Sequence, residues 1–556
     1  MTTLDWITVA AWVVGTSAFG VYFTRYVKST KDYLLAGRRL RWWQIGMAQA
    51  ADAVDATDFV ATTGQGFRTG LSQVGFAWWG MGIGSVLLSR YVAPLLYRTG
   101  VCTNAEYLEL RFTASLRVAS AILQVLYRFV AMALVVYAMA TMFHVIVGID
   151  LWIGVWTAMA FTLLYVLAAG QLGVVMAAIP QVALMLLTSV MVLVSAAWEV
   201  GGWKGISSRA AELGGQLHLA GHSEPGVPGG VYLWGLILTL LTYPIVNQTV
   251  AQRIVAARSE MDARKGTIAS LVPWFVITGT SAFVGIMGHF ILPELPAADA
   301  DRIFPMYMQR YLPEGLLGLG VAALVVASMS TGAGIGTAIA GLMTVDVFKQ
   351  FGRGERSDKY YLRMTRLFAA LSIVCGTLFA MFIPRFGGMI PFYVALTGTF
   401  FLPLTVPYLG GALYPKASRG SGMAALAGGI LLGSVLFLGA DSLPAALGHP
   451  QWRPFWVFGF AWVVFFGWSV VENRVRGCIP ETELANILNR LDLGKPAPPE
   501  EIQEMLQARP VVSWEGQENL DLDTVGIPRD IPWYAHPTTF ELAAVAVLVV
   551  LMVWWW

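Results

Sequence analysis

Asp52, Asp55 and Asp58 recur every third residue within 46–63, a stretch that is otherwise apolar or weakly polar. On a continuous helix that spacing spreads three carboxylates over an arc of about 120°, so they can face one cavity together. A carboxylate at bilayer depth costs on the order of 3 kcal/mol or more, so acids inside a membrane span face a cavity and mark a cation or substrate path. Three negative charges so close demand compensation: from bound cations, from Arg128 in the fourth apolar span, or from protonation.

The elements that must position these residues are membrane spans. Of 556 residues 56% are apolar and only 13% charged, and many charge-poor runs reach eighteen residues, enough to cross about 30 Å of hydrocarbon. Fourteen spans are expected, at roughly 5–23, 44–68, 72–97, 117–147, 151–169, 174–199, 231–256, 268–292, 315–347, 363–384, 390–412, 421–441, 453–471 and 539–556. The first follows Asp5 rather than a basic region and lacks a small-residue cleavage site, so it reads as an uncleaved helix. Arg68 and Arg90 lie near span ends, where long basic side chains reach for the membrane surface.

Basic residues set the orientation, because Lys and Arg near span ends favour the cytoplasm. They follow the first span (Arg25, Lys28, Lys31, Arg38, Arg39, Arg41), the seventh (Arg253, Arg258, Arg264, Lys265) and the ninth (Lys349, Arg353, Arg356, Lys359, Arg363). Both termini should lie outside. Residues 472–538 should form a cytoplasmic extension with two short helical stretches near 481–492 and 499–508, before a last transmembrane helix at 539–556. The expected location is a plasma membrane, bacterial inner membrane included.

Several function classes are excluded. Cys102, Cys375 and Cys478 show no metal spacing and no disulfide framework. A formal net charge of +2 gives no reason to expect a nucleic-acid partner; the expected partners are a small-molecule solute and the lipid bilayer. His144, His218, His222 and His289 form no metal-spaced cluster. No set of nucleophile, base and orienting group occurs in the spans, so an enzyme is not expected.

Three strings, in order, carry a resemblance. Residues Ser29 to Arg38, followed by Trp42, Trp43 and Gly46, form the first. Asn247 and Gln248 with Gln252, Arg253, Ala256 and Ala257 form the second, and Met329, Ser330 and Thr331 the third. Together they resemble the sodium:solute symporter family, cotransporters of sugars, proline, sialic acid, choline and similar solutes. The resemblance implies an all-α polytopic membrane protein of LeuT-like fold, with inverted five-helix repeats at about 44–199 and 231–412 in a symporter domain of residues 1–471, and extra flanking helices. It also implies a sodium ion as cofactor. Discontinuous helices in such folds expose carbonyls near the midplane that coordinate ion and solute.

Carried over from the family pattern, the sodium ligands would be the carbonyls of Ala51, Val54 and Ala327 and the hydroxyls of Ser330 and Thr331, a five-oxygen shell suited to a hard cation. Two interrupted segments, the second and ninth spans, would then converge on the ion. The break in the second span is supported independently by Asp52, Asp55, Thr57, Asp58 and Gly64, poor choices for a continuous lipid-facing helix. In the ninth, Gly332, Gly334 and Gly336 serve either a hinge or close packing. One departure stands out: after Tyr165 and Ala169-Gly170 the fifth-helix string reads Ala177, Ala178 and Gln181, without the acid that the family places near the inner ion path.

Laid beside sugar-transporting members, the positions of polar sugar contacts read Trp78, Ala131, Trp274 and Val394, with Asp58 in place of an amide and only Asn247 retained. Such a lining would leave sugar hydroxyls unpaired at roughly 1–3 kcal/mol each, which disfavours sugar. The aspartates call for positive charge instead, and the faces of Trp78 and Trp274 attract a desolvated ammonium group by about 2 kcal/mol, unless those rings serve packing alone. The expected function is sodium-coupled symport of a small organic solute, a cationic amine or quaternary ammonium compound. The expected solute site comprises Asp52, Asp55, Asp58, Trp78, Arg128, Asn247 and Trp274. Alternatives are a transport-deficient sensor or accessory subunit, suggested by Ala178 and the tail, and a proton-coupled carrier.

Overall fold

The computed structural model describes residues 1–24, 38–168, 171–223, 227–351, 357–477 and 532–555. Most of the first resemblance string, the Ala169-Gly170 pair and the two helical stretches expected in the 472–538 extension lie outside them.

The principal helices, in chain order, are α1 (Thr3–Thr24), α2 (Trp42–Ala53), α3 (Ala56–Thr69), α4 (Ser72–Leu87), α5 (Ala114–Val147), α6 (Leu151–Ala168), α7 (Gln171–Val200), α8 (Gly229–Val246) and α9 (Gln248–Val255). The second half continues with α10 (Glu260–Ala269), α11 (Leu271–Ile291), α12 (Leu316–Gly341), α13 (Asp358–Phe379), α14 (Met389–Leu396), α15 (Thr405–Leu413), α16 (Ser421–Leu438), α17 (Arg453–Arg476) and α18 (Pro537–Trp555). Among the described residues there is no strand; Leu40 and Ala257 form an isolated bridge.

Nine helices among the described residues are long and apolar enough to cross a membrane. Fourteen were expected, and the difference has a physical cause in two places. The second expected span is split into α2 and α3, and the third becomes π-helical at Leu88–Val92, so neither is one long apolar cylinder.

The second span breaks where its sequence predicts. Val54 and Asp55 leave helical geometry, and the Asp55 carboxylate accepts the Thr57 N–H at 2.6 Å while Asp58 Oδ2 accepts the Asp55 N–H at 3.1 Å. This reciprocal cap restarts the helix as α3. The seventh span, expected to run unbroken over 231–256, is also broken. Pro244 cannot donate to the helical ladder, and Asn247 turns extended to cap α9, its Oδ1 accepting the Thr249 N–H at 2.8 Å. The ninth span, by contrast, runs continuously as α12, buried along nearly its whole length. The two interrupted helices are therefore the second and seventh spans, each opening one half of the chain, and not the second and ninth.

Small residues bring these helices together. Gly66 faces the Ala282 backbone and Gly285 faces the Thr63 carbonyl, so α3 and α11 approach closer than side chains would allow, with Thr63 Oγ1 donating to the Ser281 carbonyl at 3.0 Å. The start of α2 is fixed by α10: Asp262 Oδ1 accepts the Trp42 N–H at 2.9 Å. Arg68 departs from its expected reach toward the surface. It pairs with Asp301 at 2.8 Å and donates to the Ala297 carbonyl at 2.9 Å.

Candidate functional site

Helix α2 ends at Ala53, so the carbonyls of Ala51, Asp52 and Ala53 have no donor within the helix. Each finds one on a different neighbour. The Thr331 hydroxyl on α12 donates to the Ala51 carbonyl at 3.0 Å, the Tyr243 hydroxyl on α8 to the Asp52 carbonyl at 3.3 Å, and Trp274 Nε1 on α11 to the Ala53 carbonyl at 3.3 Å. On the other side of the break the Ala56 N–H donates to Ser328 Oγ on α12 at 3.3 Å. Four polar contacts thus hold the broken backbone against three helices.

Of the five expected ion ligands, Ala51 and Thr331 are in direct contact. Val54 lies in the break itself, at φ −113° and ψ 118°. The Ser330 hydroxyl is buried with no hydrogen-bond partner, and Ala327 is fully buried one helical turn before it. The Ser330 hydroxyl and the carbonyls at the end of α2, which lack donors within their own helix, are oxygen ligands of the kind a hard cation takes, while the Ala327 carbonyl lies within the continuous helix α12.

Gly332 and Gly334 of α12 pack rather than hinge. A Cβ on Gly332 would strike the Thr162 side chain, and one on Gly334 would lie 2.6 Å from Asp52 Oδ1. The missing side chain at Gly334 makes room for the Asp52 carboxylate.

The aspartates divide their work. Asp52 is met by Arg253 of α9, whose Nη2 stands 2.6 Å from Asp52 Oδ2; both residues are buried, Arg253 completely. Arg253, expected to mark the cytoplasmic end of its span, instead ties one broken helix to the other. Asp55 and Asp58 have no ion-pair partner among the described residues.

All three aspartates border one cavity of about 110 Å³, together with Arg128, Tyr243 and Trp274. Thr331 and Ala131 border it too, so the expected ion site and the cavity are contiguous. Two expected solute residues do not. Trp78 packs α4 against α11, with Nε1 donating to the Phe275 carbonyl at 3.1 Å and to Thr278 Oγ1 at 3.2 Å. Asn247 spends its Oδ1 on the cap of α9.

Sequence reasoning passed over Tyr243, Ser328 and Tyr393, of which Tyr243 and Tyr393 border the cavity. Tyr393 Oη lies 3.1 Å from Tyr127 Oη across the interface of α14 and α5. A Tyr immediately before Pro244 in an apolar span was the available signal for Tyr243.

A family model described as the sodium:solute symporter family matches residues 33–432. The chain is 29% identical over 387 residues to a sodium/glucose cotransporter of Vibrio parahaemolyticus, covering 65% of this chain and 70% of the relative. It is 25% identical over 464 residues to sodium-coupled monocarboxylate transporter 2 of Bos taurus, covering 79% and 73%. Its fold is similar to that of a sodium-coupled sialic acid symporter solved in a substrate-bound outward-open state, with a TM-score of 0.72 at 17% identity, covering 84% of this chain and 98% of the other. The all-α LeuT-like fold implied by the motifs is the one adopted, in a multi-pass membrane protein that is a transporter and not an enzyme. The chain belongs to the sodium:solute symporter family.

Proposed function

We propose that the protein is a sodium-coupled symporter of a small organic solute bearing a positive amine or quaternary ammonium group, held by Asp58 and Asp55 beside Trp274. Membership of the family and relatives named as sodium cotransporters support the sodium coupling. The observation that carries the solute reading is a cavity walled by two carboxylates without ion-pair partners among the described residues, with Trp274 in the same lining. The relatives' names include a neutral sugar and monocarboxylates, so the solute class rests on this chain's own lining.

The ion is held by the carbonyls of Ala51, Val54 and Ala327 and the hydroxyls of Ser330 and Thr331. It bridges the end of α2 to α12, and the solute meets the adjoining start of α3. The coupling needs only that both ligands favour the same arrangement of the two helices. The repeats run over about 44–199 and 231–412, the termini face outward, the 472–538 segment is cytoplasmic, and the protein resides in a plasma membrane such as a bacterial inner membrane.

Uptake into proteoliposomes under an imposed sodium gradient tests this reading. Amines, quaternary ammonium compounds, amino acids, sugars and carboxylates form the panel. Sodium-stimulated uptake confined to solutes with a cationic nitrogen is expected. Uptake of a neutral sugar or simple carboxylate with the aspartates intact, and of no cationic nitrogen compound, would overturn it.

A further inference from the structure

Arg128 is the cavity's unused cation. It stands on α5, is only 2% exposed, and borders the same cavity as Asp55 and Asp58. Its Nη2 is buried without a hydrogen-bond partner, and it makes no ion pair among the described residues. The guanidinium carbon lies 5.3 Å from the Tyr127 ring centroid and 5.8 Å from that of Tyr243, so two aromatic faces fix the plane while the nitrogen edge stays available. A buried donor left open costs roughly 1–3 kcal/mol, more when charged, unless a ligand completes it.

We propose that Arg128 is an anion subsite, and that the solute is zwitterionic: its ammonium end on Asp58 and Asp55, its carboxylate on Arg128. Charge balance leads the same way. Asp52 is cancelled by Arg253. Counted as formal charges, Asp55 and Asp58 are matched by Arg128 and one sodium ion, so a solute with no net charge keeps the site neutral. A simple monocation would bring an uncompensated positive charge into the low-dielectric core, whereas an amino acid or betaine brings none. The fork of Arg suits a carboxylate bidentately, which a Lys at this place would not. This inference rests on the cationic-nitrogen reading above for one pole of the solute only.

The test uses the purified full chain in detergent, with sodium, and matched triplets on one carbon skeleton: an amino acid, its decarboxylated amine and its deaminated acid, such as valine, isobutylamine and isovalerate. The twenty common amino acids and glycine betaine supply the skeletons, and choline serves as the amine of betaine. Binding is read by thermal shift and by competition. At least one zwitterion should bind at least tenfold more tightly than its matched amine. In Arg128→Gln that preference should collapse to about one, and Arg128→Lys should restore only part of it. Sodium-induced stabilisation of the variants, measured without solute, reports that they fold. An amine that binds as tightly as its zwitterion, or a preference that survives in folded Arg128→Gln, overturns the proposal. Binding of the acids alone, abolished in Arg128→Gln, would retain the anion subsite and remove the cationic-nitrogen reading; absence of binding across all triplets overturns both.

Discussion

The Thr331 hydroxyl donates to the Ala51 carbonyl at 3.0 Å, joining the last turn of a helix that is about to break to the middle of one that is not. The orphaned Ser330 hydroxyl stands one residue away. Removing the Thr331 oxygen deletes both a proposed ion ligand and a contact that holds α2 to α12. Thr331→Ala and Ser330→Ala should each raise the sodium concentration for half-maximal uptake by about tenfold, equivalent to about 1.4 kcal/mol. Thr331→Ser, which keeps the oxygen, should stay close to the parent. The sodium dependence of initial uptake rates checks all three.

The Asp52–Arg253 pair links the two broken helices through a completely buried guanidinium. Breaking such a pair from one side strands the other charge, at about 3–5 kcal/mol. Asp52→Asn and Arg253→Gln should each lower the melting temperature sharply, and the double variant should recover most of the loss. A double-mutant cycle on thermal stability measures the coupling; simple additivity would contradict it.

Gly334 leaves the space that the Asp52 carboxylate fills. Gly334→Ala forces that carboxylate off Arg253 or α12 off α2. Its effect should resemble Asp52→Asn, and it should be largely absent when combined with Asp52→Ala, as thermal unfolding of the two variants would reveal.

Asn247 caps α9 rather than facing the cavity. Asn247→Ala should cost about 1 kcal/mol of stability, as lost caps do, with little change in the order of preferred solutes. Asp58→Asn should do the reverse, weakening solute binding with a smaller loss of melting temperature. Thermal shift with and without solute separates them.

How far the sequence revealed this arrangement depended on whether polar residues interrupted an apolar run. Asp52, Asp55, Thr57 and Asp58 cluster so densely that the break at Val54–Asp55 was legible, and the Ser330-Thr331 pair pointed at α12 through its motif. The break at Asn247 was not, because a single amide and Pro244 barely disturb a hydrophobic span. Arg253 misled for a related reason: Arg258, Arg264 and Lys265 follow it closely, so it read as the edge of a cytoplasmic cluster while the fold buries it. The helical arc expected for the three aspartates failed once the helix broke between the first and second of them, yet the break itself brought them to one cavity. Trp78 shows the converse limit, since its orientation is decided by α11, distant in sequence.

The most direct measurement is equilibrium binding of radiolabelled sodium to the purified protein, parent against Ser330→Ala/Thr331→Ala, with no solute present. Saturable binding by the parent and its loss, or a weakening of tenfold or more, in a variant that remains folded is the predicted result. Equal affinity in the two proteins would place the ion elsewhere and contradict the assignment.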